Sequence, residues 1–426
     1  MSTSPGVSTA PAPIRTSNDL GLGLLRQPTS VLFGPGQRRQ IPAILESLAE
    51  HVLVVTDERM AASAEFSAIS EELRSRGVRV SLYSGTRPDL PRENILEVTE
   101  RFGSAGVGAI LGIGGGSCMD LAKVVSIVLT HGGDVRDYYG EYLVPGPGCP
   151  VVTVPTTAGT GAEVTSISVV YDKDKGMKVG VASPHLEAVA AVIDPELTLT
   201  CPPGLTAAAG ADALSHLVEA FTGRAKNPSS EDLATKLYVG KNRLTDLYAR
   251  TGIPLLQSAL GRVCANPADL EARSDTLFAA YCAGMSINTA GTAGAHAIQS
   301  PIGALTHTPH GFGISALLPY VMRYNLPTRV PEFAEIGRLL GTADVAGAEL
   351  EQARAGITGI EHILESIGAP IDLKTLGLSP TDFDTVASQA LLATRLTANN
   401  PRDLNHGAVR FILERGWAGD RSWWTI

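Results

Sequence analysis

The feature of this sequence that most restricts its fold is a regular alternation of short apolar runs and longer amphipathic stretches over residues 24–193. The apolar runs have the length of buried strands, and the stretches between them have apolar residues at helical spacing. The clearest runs are 51–56, 78–83 and 108–113, and the helical stretches after them are 62–76, 93–102 and 120–129. Strands that alternate with helices predict a doubly wound, mostly parallel sheet covered on both faces.

The second half of the sequence has a different pattern. After the prolines at 202–203, long helical periodicities continue to the C-terminus with few β-branched runs. Examples are 206–222, 229–249 and 270–288. A chain of 426 residues is also long for one hydrophobic core. We therefore predict three parts, namely a flexible N-terminal tail (1–22), an α/β domain (23–200) and an all-α domain (201–426).

Charge and hydropathy exclude several classes of protein. The formal net charge is −9, and no run of Lys and Arg offers the positive surface that nucleic acids require. No apolar run approaches the roughly 18 residues of a membrane span, and the Ser/Thr/Pro-rich N-terminus lacks the apolar core of a signal peptide. The 5 scattered cysteines, with no CxxC pair, are typical of reduced thiols. We therefore expect a cytoplasmic protein with neither a nucleic-acid nor a membrane partner.

A cluster of glycines lies where one predicted strand passes into a helix. In the stretch 112–123, Gly114, Gly115 and Gly116 allow the backbone to approach a pyrophosphate, and free N–H groups at the start of the helix favour its charge. The stretch differs from both the G-x-G-x-x-G fingerprint and the Walker A loop. A tight turn without a ligand is the alternative interpretation.

A second candidate loop follows the next apolar run. Residues 155–165 are rich in threonine and glycine, and their hydroxyls can hold ribose and phosphate oxygens. Two such loops in one α/β domain favour a dinucleotide site more strongly than either does alone. Asp57 follows the strand 51–56, where a carboxylate can bind the adenosine ribose and repel a 2′-phosphate. Capping of the next helix explains Asp57 almost equally well.

Candidate metal ligands cluster in the helical half. Asp212 and His216 are spaced i,i+4, which places both side chains on one helical face. His296, His307 and His310 lie close together further along, although the chain has only 9 histidines. Three imidazoles and one carboxylate form a nitrogen–oxygen ligand set that suits Fe(II) or Zn(II) better than Ca²⁺ or Mg²⁺. A buried His–Asp hydrogen bond explains the first pair equally well, and a satisfied core histidine explains His296.

These motifs together resemble the iron-containing (group III) alcohol dehydrogenase family, which is related to dehydroquinate synthase and glycerol dehydrogenase. The resemblance extends from 31–36 to 399–402. Its most specific stretches are 114–117 with Asp120 and Lys123, 155–161, and 308–311 with 317–325. The resemblance implies a dinucleotide-binding domain over 23–200, a metal-binding domain over 201–426, and an active site in the cleft between them.

The resemblance also assigns roles to individual residues. It assigns metal binding to Asp212, His216, His296 and His310, with Fe(II) as the first candidate and Zn(II) as the second. The implied cofactor contacts are Asp57, Gly114, Gly115, Gly116, Ser117, Asp120, Thr156, Thr157, Thr160 and Lys178. In this family an aspartate at the position of Asp57 goes with NAD. Ile287 and Thr292 are expected to face a substrate larger than a three-carbon diol.

One position departs from the family pattern. The family commonly has a further histidine one helical turn after the residue that matches His296, whereas this sequence has Ser300. An imidazole there can exchange a proton near neutral pH, but a serine hydroxyl only passes one along a hydrogen-bonded chain. We expect either that His307 takes over this proton transfer or that water and the ribose hydroxyls carry the proton. The alternative is that Ser300 merely packs beside the cofactor while His307 is exposed in a loop.

The predicted function is that of a NAD- and metal-dependent alcohol dehydrogenase that also reduces aldehydes or ketones, as a homodimer or larger homo-oligomer acting on a small molecule. A dehydroquinate-synthase-like lyase would require a basic pocket for a phosphorylated substrate, and no Arg/Lys cluster accompanies the candidate ligands. A glycerol-dehydrogenase-like enzyme remains an alternative. A maleylacetate-reductase-like enzyme fits less well because the metal ligands are present. A metal- or nucleotide-binding protein without activity is the last alternative.

Overall fold

The first half of the chain contains the parallel sheet that its alternating pattern predicts. The computed structural model describes residues 21–425, so the predicted tail at 1–22 lies almost wholly outside the described residues. The strands are β1 (Ser30–Phe33), β2 (His51–Val55), β3 (Arg79–Tyr83), β4 (Ala109–Gly114), β5 (Gly140–Glu141), β6 (Val151–Pro155), β7 (Ile167–Asp172), β8 (Met177–Ala182) and β9 (Ala190–Ile193). Six of them form one all-parallel sheet in the order β1-β9-β6-β4-β2-β3.

One set of helices covers the sheet, and a second set forms the second half of the chain. Those of the first half are α1 (Ile41–Leu48), α2 (Glu58–Ala61), α3 (Ala64–Ser75), α4 (Arg92–Phe102) and α5 (Gly116–His131). Those of the second half are α6 (Pro203–Thr222), α7 (Ser230–Thr235), α8 (Arg243–Ala265), α9 (Leu270–Ala290), α10 (Gly294–Thr306), α11 (His310–Asn325), α12 (Val330–Leu339), α13 (Glu349–Ser366), α14 (Phe383–Ala390), α15 (Thr394–Asn399) and α16 (His406–Ala418). Within residues 21–425, no helix is long and apolar enough to cross a membrane.

The two faces of the sheet belong to separate hydrophobic clusters. Val52 and Val54 of β2 pack in one cluster with residues of α1 and α3. Leu53 and Val55, which point to the opposite face, pack in another cluster with residues of α4 and α5. All four side chains are fully buried, which explains why this strand is apolar throughout instead of alternating with polar residues. The fold is therefore a doubly wound α/β layer followed by a helical half with its own core.

Three local features differ from the predicted pattern. α5 begins at Gly116 and not near residue 120, because the glycine cluster itself forms the first turn. The stretch 229–249 is not one helix but two, α7 and α8, and between them Gly240 has a left-handed φ of 81°. β7 and β8 pair antiparallel and, with β5, form a small second sheet that the alternating pattern did not predict.

The two halves of the chain meet at two glycines. Gly161, in the loop after β6, has a left-handed φ of +65°, and a Cβ built on it would lie 2.3 Å from the Cα of Gly284 in α9. A Cβ on Gly284 would in turn lie 2.6 Å from the carbonyl oxygen of Gly161. Because no side chain fits between these backbones, the loop after β6 lies directly against the helical half.

We expect Gly284→Ala to lower the free energy of unfolding by about 1–3 kcal/mol, because the new methyl group would push α9 away from the loop. Gly204→Ala is the matched control, since Gly204 lies in the first turn of α6 and a Cβ there would have no atom within 4 Å. That control should be neutral or slightly stabilising. Urea unfolding of the purified proteins measures both changes. An unchanged midpoint for Gly284→Ala would contradict the close contact.

Candidate metal and dinucleotide site

A cleft of about 1040 Å³ lies between the sheet and the helical half and contains nearly all of the predicted site residues. Its cofactor side is lined by Asp57, Gly115, Gly116, Ser117, Asp120, Thr156, Thr157, Thr160 and Lys178. The helical half contributes Asp212, His216, Ile287, Thr292, His296, Ser300 and His310. Gly114 ends β4 just before this lining. The fold therefore brings into one cavity groups that are far apart in sequence.

The two predicted phosphate loops touch each other because their strands are neighbours. Gly114 at the end of β4 pairs with Pro155 at the end of β6, so the loops that follow leave the sheet side by side. A Cβ on Gly116 would lie 2.7 Å from the Cγ2 atom of Thr160, which shows how closely the loops pack. No side chain caps the N-terminus of α5. The backbone N–H groups of its first turn are therefore available to an anion such as a pyrophosphate.

Asp57 caps a helix and also lies at the cofactor side of the cleft. Its Oδ1 atom accepts a hydrogen bond of 2.8 Å from the backbone N–H of Met60, so Asp57 is the N-cap of α2. Its Oδ2 atom lies 3.4 Å from the position of a Cβ on Gly114, at the cofactor side of the cleft. One oxygen therefore fixes the carboxylate while the other lies beside the glycine loop.

Asp120 and Lys178 line the same side of the cleft with protein partners of their own. The Oδ2 atom of Asp120 accepts a hydrogen bond of 3.0 Å from the backbone N–H of Val169, and its Oδ1 lies 3.6 Å from the ammonium of the fully buried Lys123. Burial raises the pKa of Asp120, although Lys123 opposes the shift. Lys178 forms an ion pair of 2.6 Å with Asp89. Both charges are thus held in place at the cleft wall.

Three predicted imidazole ligands, from three helices, converge on one oxygen of the fourth predicted ligand, Asp212. The Oδ1 atom of Asp212 lies 3.5 Å from Nε2 of His216, 3.6 Å from Nε2 of His296 and 3.5 Å from Nε2 of His310. The imidazoles of His216 and His296 stack with their centroids 4.8 Å apart. Asp212 and His216 share a face of α6, His296 lies in the first turn of α10, and His310 begins α11.

This arrangement fits a divalent metal ion. For a tetrahedral ion with ligand atoms at about 2.1 Å, neighbouring ligand atoms lie roughly 3.4 Å apart. The distances to Asp212 are close to this value and longer than ordinary hydrogen bonds. Within residues 21–425, Oδ1 of Asp212 and Nε2 of His296 are buried without a hydrogen-bond partner. The ligand atoms of Asp212, His296 and His310 all lie within 4.8 Å of one another. His216 is not part of this compact group, and its Nε2 lies 3.5 Å from Oδ1 of Asp212. Two buried polar atoms that face each other without partners are what a metal ion between them would satisfy.

The charges around Asp212 favour its ionised form. Burial would raise the pKa of its carboxyl group, but the three imidazoles hold it well below its usual range. Burial lowers the pKa of His216 and that of His310, whose side chain is still 31% exposed. Both effects favour a carboxylate at Asp212 and neutral imidazoles at His216 and His310, which are the protonation states that bind metals.

Glu219 belongs to this site although the sequence did not single it out. Its carboxylate accepts hydrogen bonds from the backbone N–H groups of Ala293 (2.9 Å) and Ala295 (2.6 Å) and lies 2.5 Å from Nδ1 of His296. Burial would lower the pKa of His296, but Glu219 and Asp212 raise it to about 9. A metal ion that bound His296 would displace the proton on Nε2, while the N–H at Nδ1 would stay with Glu219 and keep the ring oriented. The sequence signal was available, because Glu219 lies one turn beyond His216 on the face of α6 that carries both ligands.

The two candidate proton-transfer residues differ in their placement. Ser300 lies on α10 one turn beyond His296 and lines the cleft. His307 is the C-cap of α10 with a left-handed φ of 54°, and its side chain is exposed and outside the cleft lining. Ser300 therefore shares the cleft lining with the metal ligands, whereas His307 lies outside that lining.

The substrate side of the cleft also contains residues that the sequence did not single out. Ile287 and Thr292 line it, as the resemblance implies. They are joined by side chains from the loop between α7 and α8 and from the segment around α14 and α15. These are Tyr238, Gln389, Leu392, Arg395 and Leu396.

A dinucleotide-type cleft that meets a His/Asp metal centre defines a metal-dependent dehydrogenase. Comparison with known families agrees. The iron-containing alcohol dehydrogenase family matches residues 28–195. The C-terminal family of the Fe-containing alcohol dehydrogenases matches residues 206–417. This chain belongs to the iron-containing alcohol dehydrogenase family. It is therefore an oxidoreductase that acts on CH–OH groups.

Individual relatives support this assignment along most of the chain. Long-chain-alcohol dehydrogenase 1 of Geobacillus thermodenitrificans is 32% identical over 382 residues, which are 89% of this chain and 92% of that protein. The NAD-dependent methanol dehydrogenase of Bacillus methanolicus is 30% identical, over 88% of this chain and 94% of its own length. A solved 1,3-propanediol oxidoreductase superposes with a TM-score of 0.86 at 30% identity, covering 93% of this chain and 100% of its own.

Glu219→Gln should weaken metal binding about 10- to 100-fold, because the amide no longer provides the charge and acceptor that fix the His296 ring. Competition with a metal-sensitive chelator, followed by metal analysis of the dialysed protein, measures this affinity. Glu65→Gln is the matched control, since Glu65 lies in the first turn of α3, far from the site in sequence and outside the cleft lining. Equal affinities for the two variants would show that Glu219 does not orient the ligand.

Proposed function

We propose that this protein is a NAD-dependent alcohol dehydrogenase and aldehyde or ketone reductase that holds a divalent metal, Fe(II) in preference to Zn(II). The observation that carries the proposal is the convergence of three imidazole Nε2 atoms on one buried oxygen of Asp212, at the edge of a cleft with two phosphate-type loops. Asp212, His216, His296 and His310 would hold the metal. Three nitrogen ligands and one oxygen ligand suit Fe(II) or Zn(II).

The cofactor side of the cleft would hold NAD through the glycine and threonine loops. Gly114, Gly115, Gly116 and Ser117 would surround the pyrophosphate at the start of α5. The other proposed cofactor contacts are Asp120, Thr156, Thr157, Thr160 and Lys178. Asp57 would accept hydrogen bonds from the adenosine ribose, and its negative charge would repel the 2′-phosphate of NADP.

The chemistry divides between the bound groups and the protein. When bound, the metal supplies a Lewis acid for the substrate oxygen, and the nicotinamide supplies the hydride donor or acceptor. Glu219 orients the ring of His296, and the phosphate loops fix the cofactor so that the reacting carbons stay in line. Ile287 and Thr292 would form part of the substrate wall. Ser300 would pass the alcohol proton towards water or the ribose hydroxyls, since His307 lies outside the cleft lining.

The proposal also covers the substrate, the cellular compartment and the oligomeric state of the enzyme. Its substrate would be a small alcohol, aldehyde or ketone. All of the cysteines are free, which is consistent with a reducing compartment such as the cytoplasm. β1 is an edge strand of the main sheet, and Phe33 at its end is 38% exposed. An open edge of this kind can pair with a second copy, so we propose a homodimer or larger homo-oligomer.

The function is tested by reduction of a panel of aldehydes and ketones with NADH, on protein loaded with Fe(II) or Zn(II). We expect continuous NADH oxidation that depends on the metal. His296→Ala should lose metal and reduce turnover by about a thousandfold, since the lost Lewis acid contributes several kcal/mol to the transition state. A lyase of the dehydroquinate-synthase type would return its NAD unchanged. Metal-independent turnover, or full activity of His296→Ala, would contradict the proposal.

The proposed proton path gives a separate prediction. His307→Gln should leave the turnover number and its pH profile unchanged, because this side chain is exposed and outside the cleft lining. Ser300→Ala should lower the turnover number by up to about 100-fold while the metal content stays the same. Steady-state kinetics over a range of pH measure both effects. Loss of a pH inflection in His307→Gln would restore His307 as the proton-transfer group.

A further inference from the structure

The substrate side of the cleft contains an arginine from a short helix near the C-terminus. Arg395 lies in α15 and lines the cleft together with Leu392 and Leu396. Its guanidinium carbon lies 4.2 Å from the centre of the Tyr238 ring, and Tyr238 lines the cleft as well. A guanidinium that stacks on an aromatic face keeps the N–H groups at its edges free to donate hydrogen bonds.

The backbone places this guanidinium near the metal ligands. Its Nη1 atom lies 3.4 Å from the position of a Cβ on Gly291, in the turn that joins α9 to α10. His296 follows in the first turn of α10. The side-chain amide of Asn399, at the end of α15, donates to the carbonyl oxygens of three consecutive residues of this turn. They are Ala290 (3.0 Å), Gly291 (3.3 Å) and Thr292 (3.0 Å). α15 is therefore fastened to the segment that leads into the metal site.

Among residues 21–425, Arg395 has an aromatic partner but no carboxylate partner. Within residues 21–425, no oxygen accepts a hydrogen bond from its guanidinium and no carboxylate forms an ion pair with it. The other two arginines of the cleft lining have such partners. Arg59 donates to the hydroxyl of Thr200 at 2.9 Å, and Arg87 pairs with Glu97 at 2.6 Å. The free charge of Arg395 is thus exceptional among the arginines of this cleft.

The surroundings of Arg395 add positive charge. Burial lowers the pKa of the nearby Lys226, and the charge of Arg395 lowers it further. Glu141 opposes this shift, whereas Lys236 and Arg224 add to it. The carboxylate of Glu141 already accepts a hydrogen bond of 3.4 Å from the backbone N–H of Leu237. Arg224 and Lys236 are paired with Asp403 and Asp232, so Arg395 and Lys226 are the cations without a carboxylate partner among the described residues at this end of the cleft. A negatively charged group that entered there would meet these two charges.

We propose that Arg395 binds an anionic group, a carboxylate or a sulfonate, at the end of the substrate remote from the reacting carbon. The planar guanidinium matches the paired oxygens of such groups. Ile287, Leu392 and Leu396 provide apolar walls in the same cleft, suited to the methylene chain between the two ends. The substrate class is then that of hydroxy acids with a terminal alcohol, together with the corresponding oxo acids. This inference rests on the proposed dehydrogenase function, because it takes the reacting oxygen to lie at the metal site.

The test compares four-carbon aldehydes with and without a terminal carboxylate. Succinic semialdehyde, its methyl ester and butanal are reduced with NADH by the metal-loaded enzyme, and kcat/KM is measured for each. The wild type should prefer the anion. Arg395→Gln should lower kcat/KM for succinic semialdehyde by about 10- to 100-fold, the range expected for a charge-assisted hydrogen bond, and leave the ester and butanal unchanged. Arg395→Lys keeps the positive charge but loses the paired donors of the guanidinium. Its kcat/KM for succinic semialdehyde should therefore lie between those of the wild type and Arg395→Gln. Longer and shorter oxo acids then show which length fits best.

Three controls separate the possible outcomes. Arg74→Gln changes the net charge equally at an exposed position of α3 and should change no ratio. An unchanged KM for NADH in the Arg395 variants shows that the residue does not bind a cofactor phosphate. Calorimetry with the sodium salt of the corresponding hydroxy acid, on NAD-saturated protein, detects binding without turnover and should show weaker binding in Arg395→Gln.

The outcomes distinguish this inference from the proposed function. Reduction of butanal without preference for the anion would overturn the role of Arg395 and leave the dehydrogenase function intact. An equal loss for charged and neutral substrates in Arg395→Gln would also overturn it, since the residue would then only shape the wall. If no aldehyde is reduced, the proposed function fails. In that case, hydroxy-acid binding that calorimetry detects in the wild type and finds weaker in Arg395→Gln would still support an anion site. If calorimetry detects no such binding, the anion site is rejected as well.

Discussion

The arrangement of the site depends on one buried carboxylate. Oδ1 of Asp212 faces three imidazole nitrogens from α6, α10 and α11, and burying an ionised carboxylate without a compensating cation costs several kcal/mol. The three helices can approach closely because α11 begins against α6, where a Cβ on Gly311 would lie only 1.8 Å from the carbonyl oxygen of Ala208. A metal ion at this position would join all three helices, so its binding free energy would also stabilise the helical half.

Much of this architecture was predictable from sequence because it is encoded locally. Continuous apolar runs such as 51–56 predict buried parallel strands, and the glycine cluster at 114–116 predicts the tight passage from β4 into α5. The i,i+4 pair of Asp212 and His216 needs only helical geometry to share a face. Each of these patterns lies within a few residues, so one window of sequence contains all of the information.

The features that could not be predicted from the sequence depend on contacts between distant segments. Arg395 and Tyr238 come together from regions about 157 positions apart, and neither lies in a recognisable motif. His307 shows how little closeness in sequence says about closeness in space. It is a near neighbour of His310 in sequence, but it is exposed at the left-handed C-cap of α10. Glu219 could have been found from its helical face, whereas its hydrogen bonds to the backbone before His296 required the packing of α6 against α10.

The amide of Asn399 connects the substrate side of the cleft with the metal side. Because it bonds to the carbonyl groups of three consecutive residues, Ala290 to Thr292, the amide links helix α15 to the turn between α9 and α10. A molecule that shifts α15 as it binds therefore also shifts the start of α10, where the imidazole of His296 is attached. Binding energy gained far from the reacting carbon can in this way be used to align the metal site. In an enzyme built like this, removing the distant part of a substrate slows the chemical step as well as weakening binding.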